Sequence, residues 1–377
     1  MSRLEQIIEQ LKKISHDPRK QLERYQSEGK KVVGCFPPYT PQELVMAAGM
    51  VPMGIWGSQT ESYQVRAYVP AFCCPIMQSS LEMGLNGSMK GLSAVMIPAI
   101  CDALRCITQN WKVGVPDIPM IPVTYPQNRT DAGIQFLKSE YEVIRARLEK
   151  VAGHPITEED LKAALEISRQ HSRAMLEFAE EARKHPDRIT PIIRHSVMKS
   201  AWFMEKKEHL ALVKELTEEL KKEPECDWKG GRVILSGITG EPDELLKLLE
   251  EYGLMVDSDD LAQESRQYTA EIPEGDDALL CLAEQWKDRK CSLVHDTEKT
   301  RLVRMCETAK EHQVQGVITC MMKFCDQEEY DLPIMNAMME KLKIPVLALE
   351  IDQQPGTAEQ LRTRIQTFAE MICNSKK

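Results

Sequence analysis

Short apolar runs alternate with amphipathic stretches along most of this chain, the pattern of strands joined by helices in a parallel sheet. A charged, amphipathic helix is predicted over residues 1–30, ending near Gln26, Ser27, Glu28 and Gly29. The run KVVGCF at 31–36 then predicts a strand. After a proline-rich loop, Thr40 as N-cap and Pro41 at the first helical position open a helix through Ala48. Gly49 stops it, and 50–56 is the next strand. A helix over 74–90, a strand over 94–100, another helix and a strand over 119–125 follow. From about 135 to 223 helical periodicity and dense charge take over, with a long helix at 157–185 opened by a Thr157/Asp160 capping box. Helices near 190–203 and 205–223 complete this stretch. The strand–helix–strand pattern returns at 229–257, with a strand over 232–236, a helix opening at Pro242 and ended by Gly253, and a strand over 254–257. Apolar strands at 291–294 and 314–324, a strand opening at Ile344 and Pro345, and a helix over 357–372 close the chain.

This order predicts an α/β fold class: two Rossmann- or flavodoxin-like parallel-sheet lobes related by an internal pseudo-repeat, with a helical domain between them. The expected division is an N-terminal helix at 1–30, a first lobe at 31–134, a helical domain at 135–228 and a second lobe at 229–377. The repeat rests on matched features. A helix opens at Pro41, Gln42, Glu43, Leu44 in one half and at Pro242, Asp243, Glu244, Leu245 in the other. Further on, each half has a strand, a Cys-Asp dipeptide, a helix and a strand opening Ile-Pro. Cys101-Asp102 follows AVMIPAI, and Cys325-Asp326 follows VQGVITCMMKF. Ligands of such sheets bind beyond the carboxyl ends of the strands, where both corners fall.

At 377 residues the chain exceeds one ordinary core. A net charge of −10 argues against a nucleic-acid partner, whose phosphates need a basic face. No apolar run approaches the ~20 residues of a membrane span. The N-terminus lacks the apolar stretch of a signal peptide, so a cytoplasmic location is expected.

The 12 cysteines include no Cys-x-x-Cys, so any metal site is assembled from distant segments. Cys101 and Cys325 are the first candidates, because two equivalent strand ends present thiols to one cleft. The following helix should aim backbone N–H groups at them and lower their pKa. Cys74, before Pro75 and a helix, occupies a similar corner. Its neighbour Cys73 points the other way and is expected in the core. Cys106, with its side chain inward, and Cys320 are also expected in the core, and Cys35 is a reserve. Soft sulfur ligands favour an iron–sulfur cluster or zinc: three cysteines suit a 4Fe–4S cluster with one iron left for another ligand, or zinc with a fourth ligand. Elsewhere, Asp259 or Asp260 is expected to cap a helix, His295 and Asp296 to face the cleft as a weak pair, and Gly237 and Gly240 to make a plain turn. Cys226-Asp227, the third such dipeptide, is read as linker.

Six segments carry a family resemblance: PQELVMAAGMVPMGIWG at 41–57, AFCCPIMQSSLE at 71–82, CDALRCITQNWK at 101–112, DDLAQESRQ at 259–267, MMKFCDQEEYDLP at 321–333 and QLRTRIQTFAE at 360–370. Together they resemble the beta subunit of the (R)-2-hydroxyacyl-CoA dehydratases, the 2-hydroxyglutaryl-CoA dehydratase D-component family, and look most like its 2-hydroxyisocaproyl-, phenyllactyl- and lactoyl-CoA branch. The family's usual Phe-Cys-Asp-Pro departs here to a glutamine at Gln327. The resemblance implies a 4Fe–4S cluster held by Cys74, Cys101 and Cys325, a larger alpha subunit as partner, and a separate ATP-dependent iron–sulfur activator that injects one electron. It also implies removal of water from a 2-hydroxyacyl-CoA to give the 2-enoyl-CoA through a ketyl radical. No catalytic acid or base is assigned to this chain. The alternatives are a benzoyl-CoA-reductase-like subunit, or a non-enzymatic two-lobed protein binding zinc or another ligand.

Overall fold

The computed structural model describes residues 1–58, 63–289, 296–352 and 358–374. Cys291, His295 and the strand expected at 291–294 lie outside them. The chain opens with α1 (Arg3–His16) and α2 (Pro18–Ser27). The first lobe contains β1 (Val32–Cys35), α3 (Gln42–Ala47), β2 (Val51–Gly54), α4 (Pro75–Leu85), β3 (Ala94–Pro98), α5 (Asp102–Gly114) and β4 (Met120–Val123). Four long helices follow: α6 (Asp131–Ala152), α7 (Glu158–Ala182), α8 (Pro191–Ser200) and α9 (Lys206–Leu220). The chain then runs through β5 (Gly231–Gly237), α10 (Asp243–Glu251), β6 (Leu254–Leu261), α11 (Ala278–Asp288), α12 (Thr300–Glu311), β7 (Gly316–Met322), α13 (Asp326–Lys341), β8 (Val346–Ile351) and α14 (Ala358–Asn374), whose strands form the sheet of the second lobe. Among the described residues no helix is long and apolar enough to cross a membrane.

Each lobe holds a four-stranded sheet, ordered β2-β1-β3-β4 and β6-β5-β7-β8, with every pairing parallel. The first strands are buried throughout because helices cover both faces. Alternation then sends Val32 and Phe36 into one apolar cluster and Val33 and Cys35 into the other. In each sheet the chain moves one way from its first strand and then crosses back to the other side. The crevices that open at this reversal, after β1 and β3 and after β5 and β7, are where doubly wound sheets bind ligands.

Three local expectations change. The N-terminal segment is two helices, because Asp17 caps the second by accepting the Lys20 N–H at 3.2 Å and Pro18 has no N–H to continue the first. Thr40 is not the cap of α3: its hydroxyl bonds back to Phe36 O at 2.5 Å, and Pro41 takes the N-cap place. No α-helix follows Asp259 and Asp260. β6 runs on through Leu261, and Asp259 instead accepts the N–H groups of Leu261 and Ser265, each at 3.0 Å. The Thr157/Asp160 capping box is present on α7 as read.

Helix α11 lies beyond β6 in sequence yet packs into the core of the first lobe. Its Trp286 ring sits 4.4 Å from Tyr125 and 6.1 Å from Tyr39, and its indole N–H donates to Pro126 O at 3.1 Å. Beneath α7 and α9, His171 Nε2 and His209 Nδ1 lie 2.9 Å apart, so one proton is held between the two rings. Burial pushes both rings below the ordinary histidine value, His209 to about 3. The unfolded rings titrate near 6.5, so this contribution is full above that pH and is lost as pH falls toward 3. Urea unfolding at pH 7, 6 and 5 should show stability falling with a slope approaching ~2.7 kcal/mol per pH unit, two protons at ~1.36 each. A flat profile over that interval would contradict neutral burial of the pair.

Candidate functional site

The segments after β1, β2 and β3 and those after β5, β6 and β7 meet around a cavity of about 90 Å³. Cys74, Cys101 and Cys325 all line it, although 27 and 224 residues separate them along the chain (101 − 74 and 325 − 101). Each is the N-cap residue of a helix: Cys74 of α4, Cys101 of α5 and Cys325 of α13. The chain reaches Cys325 through Phe324, whose φ of 59° places a bulky residue in the left-handed region and turns β7 sharply into α13. Pro75, at the first position of α4, has no N–H to lose there.

Every sulfur therefore faces an open first turn. The amides of Met77 and Ile76 favour a thiolate at Cys74, those of Leu104 and Ala103 at Cys101, and that of Glu328 at Cys325, although none closes a capping hydrogen bond. Burial outweighs them. It pushes Cys74 up to about 12 and raises Cys101, and at Cys325 burial and the neighbouring Glu328 charge act together. The expected lowering of thiol pKa by the helix starts is thus reversed: without a positive partner these thiols stay protonated. Among the described residues no group of three or more His, Cys, Asp or Glu side chains converges closely enough to hold a single metal ion. The three thiols stand around a cavity instead.

The other cysteines separate cleanly. Cys73, Cys320 and Cys35 are buried and do not line the cavity. Cys106 is exposed on α5, contrary to the expected inward side chain, because it falls on the outer face of that helix. Gly237, with φ of 140°, ends β5 where a Cβ would lie 2.3 Å from Cys320 O, so only glycine fits that close approach.

One wall of the cavity is charged. Arg266 lines it, and its guanidinium donates to Glu328 Oε1 at 3.0 Å, Asp260 Oδ1 at 3.2 Å and Gly237 O at 3.0 Å. Behind it Arg301 donates to Glu328 Oε2 at 2.8 Å, Asp260 Oδ2 at 2.7 Å and Asp331 Oδ2 at 3.2 Å. Burial works against the Glu328 charge, but the two guanidinium groups prevail and hold its carboxyl down at about 2. A second network joins α8 to the turn after β6. Arg194 binds Glu264 at 2.6 Å and also Asp259, while His195 Nδ1 meets Glu264 at 2.7 Å. Burial disfavours charge on His195, yet the nearby Glu241 carboxylate, 3.9 Å away, and the hydrogen bond to Glu264 raise it to about 9. Sequence reasoning missed both networks. The available signal was the carboxylate density of 257–264 on an apolar strand, since buried carboxylates require cations from elsewhere in the fold.

Two four-stranded parallel sheets with a cysteine-lined crevice beside them define a two-lobed α/β protein. A family model described as 2-hydroxyglutaryl-CoA dehydratase, D-component, matches residues 37–372, and the chain belongs to that family of dehydratase, that is hydro-lyase, subunits. It is 45% identical over 374 residues to the (R)-phenyllactyl-CoA dehydratase beta subunit of Clostridium sporogenes, covering 99% of this chain and 100% of that protein. It is 40% identical over 377 residues to the lactoyl-CoA dehydratase subunit beta of Anaerotignum propionicum, covering 99% and 100%. Identity to the (R)-2-hydroxyglutaryl-CoA dehydratase subunit beta of Acidaminococcus fermentans is 37% over 374 residues, covering 97% and 99%.

Proposed function

We propose that this chain is the beta subunit of a cytoplasmic (R)-2-hydroxyacyl-CoA dehydratase and holds a 4Fe–4S cluster through Cys74, Cys101 and Cys325. The observation that carries this reading is the meeting of three thiols, each at a helix start, around one cavity between two sheets. Three features support the fit. The donors are soft sulfurs, which suit iron–sulfur clusters. The three thiols line one cavity, so a group bound by several sulfurs has a common place there. Burial also leaves their thiolates in need of compensating positive charge. Bound there, the cluster would supply one-electron chemistry, the kind needed to convert a thioester to a ketyl radical that expels its C2 hydroxyl.

The chain's own residues define the setting. The helix starts direct backbone N–H groups at the sulfurs, and the apolar wall of Ile76, Met77, Ile238 and Ala262 limits water. The Arg266–Glu328 pair fixes the first turn of α13 behind Cys325. The beta designation of the relatives supports a larger alpha subunit as partner. An ATP-dependent iron–sulfur activator is the proposed electron source. Neither partner is a nucleic acid or a membrane.

Anaerobic co-expression with the alpha subunit, followed by assay of a panel of 2-hydroxyacyl-CoA thioesters with the activator, tests the reading. Enoyl-CoA formation with far less than one electron consumed per turnover is expected. Stoichiometric electron consumption would instead favour a benzoyl-CoA-reductase-like activity.

A further inference from the structure

At each of the three corners the cysteine is the N-cap residue of a helix. The second helical residue after each cysteine lines the cavity: Ile76 after Cys74, Ala103 after Cys101 and Gln327 after Cys325. Two of these carry hydrocarbon only. Gln327 carries the one side-chain amide among the described residues of the cavity wall, and it replaces the proline of the resembled motif. It stands beside the sulfur, with Cys325 Sγ donating to Gln327 Oε1 at 3.8 Å.

That contact belongs to the protonated thiol. A metal-bound thiolate has no hydrogen to give and only accepts. The amide has a donor and an acceptor of nearly the same shape and reach, so a half-turn about its last torsion puts Nε2 where Oε1 stands. We infer that Gln327 donates an N–H···S hydrogen bond to the metal-bound thiolate of Cys325 and thereby raises the reduction potential of the cluster. Hydrogen bonds to cluster sulfurs are among the means by which a protein sets that potential. The inference rests on the cluster reading proposed above. Position argues for a bond to sulfur rather than ligation of a further iron: the amide adjoins the thiolate, next to the metal atom that Cys325 itself would bind. The effect is confined to one corner of three, since neither Ile76 nor Ala103 can donate from its side chain.

The test is an EPR-monitored redox titration of the anaerobic complex, scoring only the component that Cys325→Ser abolishes. The variants are Gln327→Leu and Gln327→Met, which lack the donor, and Gln327→Glu, which replaces it with negative charge. Iron and sulfide should be retained in all three. At the wild-type midpoint the reduced-to-oxidised ratio should fall about threefold or more in the leucine and methionine variants, where ~59 mV corresponds to tenfold for one electron. It should fall further in the glutamate variant. An unmoved midpoint with iron retained overturns the role of Gln327 and leaves the cluster reading standing. Loss of iron from both the leucine and methionine variants also overturns it, because the amide is then a ligand or a structural support. Wild-type protein without iron overturns the cluster reading and this inference together.

Discussion

Replacing Cys74, Cys101 or Cys325 singly with serine is expected to remove most of the iron held by this chain and to lower dehydration at least ~100-fold. The magnitude follows from what surrounds metal ligands: loss of an outer hydrogen-bond partner alone costs ~10–100-fold in affinity or activity, and loss of the ligand itself exceeds that. Serine is close to cysteine in size and is itself a favoured N-cap residue, so the fold should survive. Cys73→Ser and Cys106→Ser are the controls. Cys73 adjoins Cys74 in sequence, which makes it a stringent comparison. It is nevertheless buried away from the cavity, and Cys106 is exposed. Both variants should retain iron. Unchanged iron in any of the first three would remove that cysteine from the ligand set, and iron loss in Cys106→Ser would show that the set extends along α5.

The second large effect is on stability. Arg194→Met should destabilise the protein by ~3–5 kcal/mol, the usual result of removing one partner from a buried ion pair. Arg194 is held between two carboxylates whose side chains are 0% and 2% exposed, so the substitution takes a buried positive charge from both and leaves Glu264 with His195 and Asp259 with Leu261 and Ser265. Asp259 also organises the turn after β6, through Leu261, Ser265 and the Ser265 hydroxyl, so that turn loses its fixed anchor. Arg173→Met is the comparison. Its pair with Glu271 is 61% and 71% exposed and should contribute less than ~1 kcal/mol. Urea unfolding at neutral pH measures both, and equal midpoints for the two variants would contradict the buried network.

The strands of the two sheets were legible because each is a short apolar run between glycine, proline and polar punctuation, while the one expected at 291–294 lies outside the described residues. The resulting strand order is the same in both sheets. The placing of Cys101 and Cys325 at one cavity was legible because both follow strands whose ends face the crevice, and Cys74 joins them from the start of α4. What escaped the sequence was non-local. Arg266, Arg301 and Glu328 come from three separate segments, and nothing near any one of them signals that the charges compensate. Trp286 completes the core of a lobe from which it is 160 residues removed at its indole contact, a distance no periodicity reads. Cys106 shows the limit in the other direction: an error of one helical face turned an expected core residue into an exposed one. The thiol pKa prediction failed because it weighed helix starts without the burial that opposes them.

The central claim is that three corners from distant segments hold one iron–sulfur cluster. Its most direct test is to count iron, zinc and acid-labile sulfide in anaerobically isolated complex, with the wild-type chain and with Cys74, Cys101 and Cys325 all changed to serine. The account predicts a difference of about four iron and four sulfide per chain, with zinc unchanged. Equal iron in the two preparations, or a difference of one zinc, would contradict it.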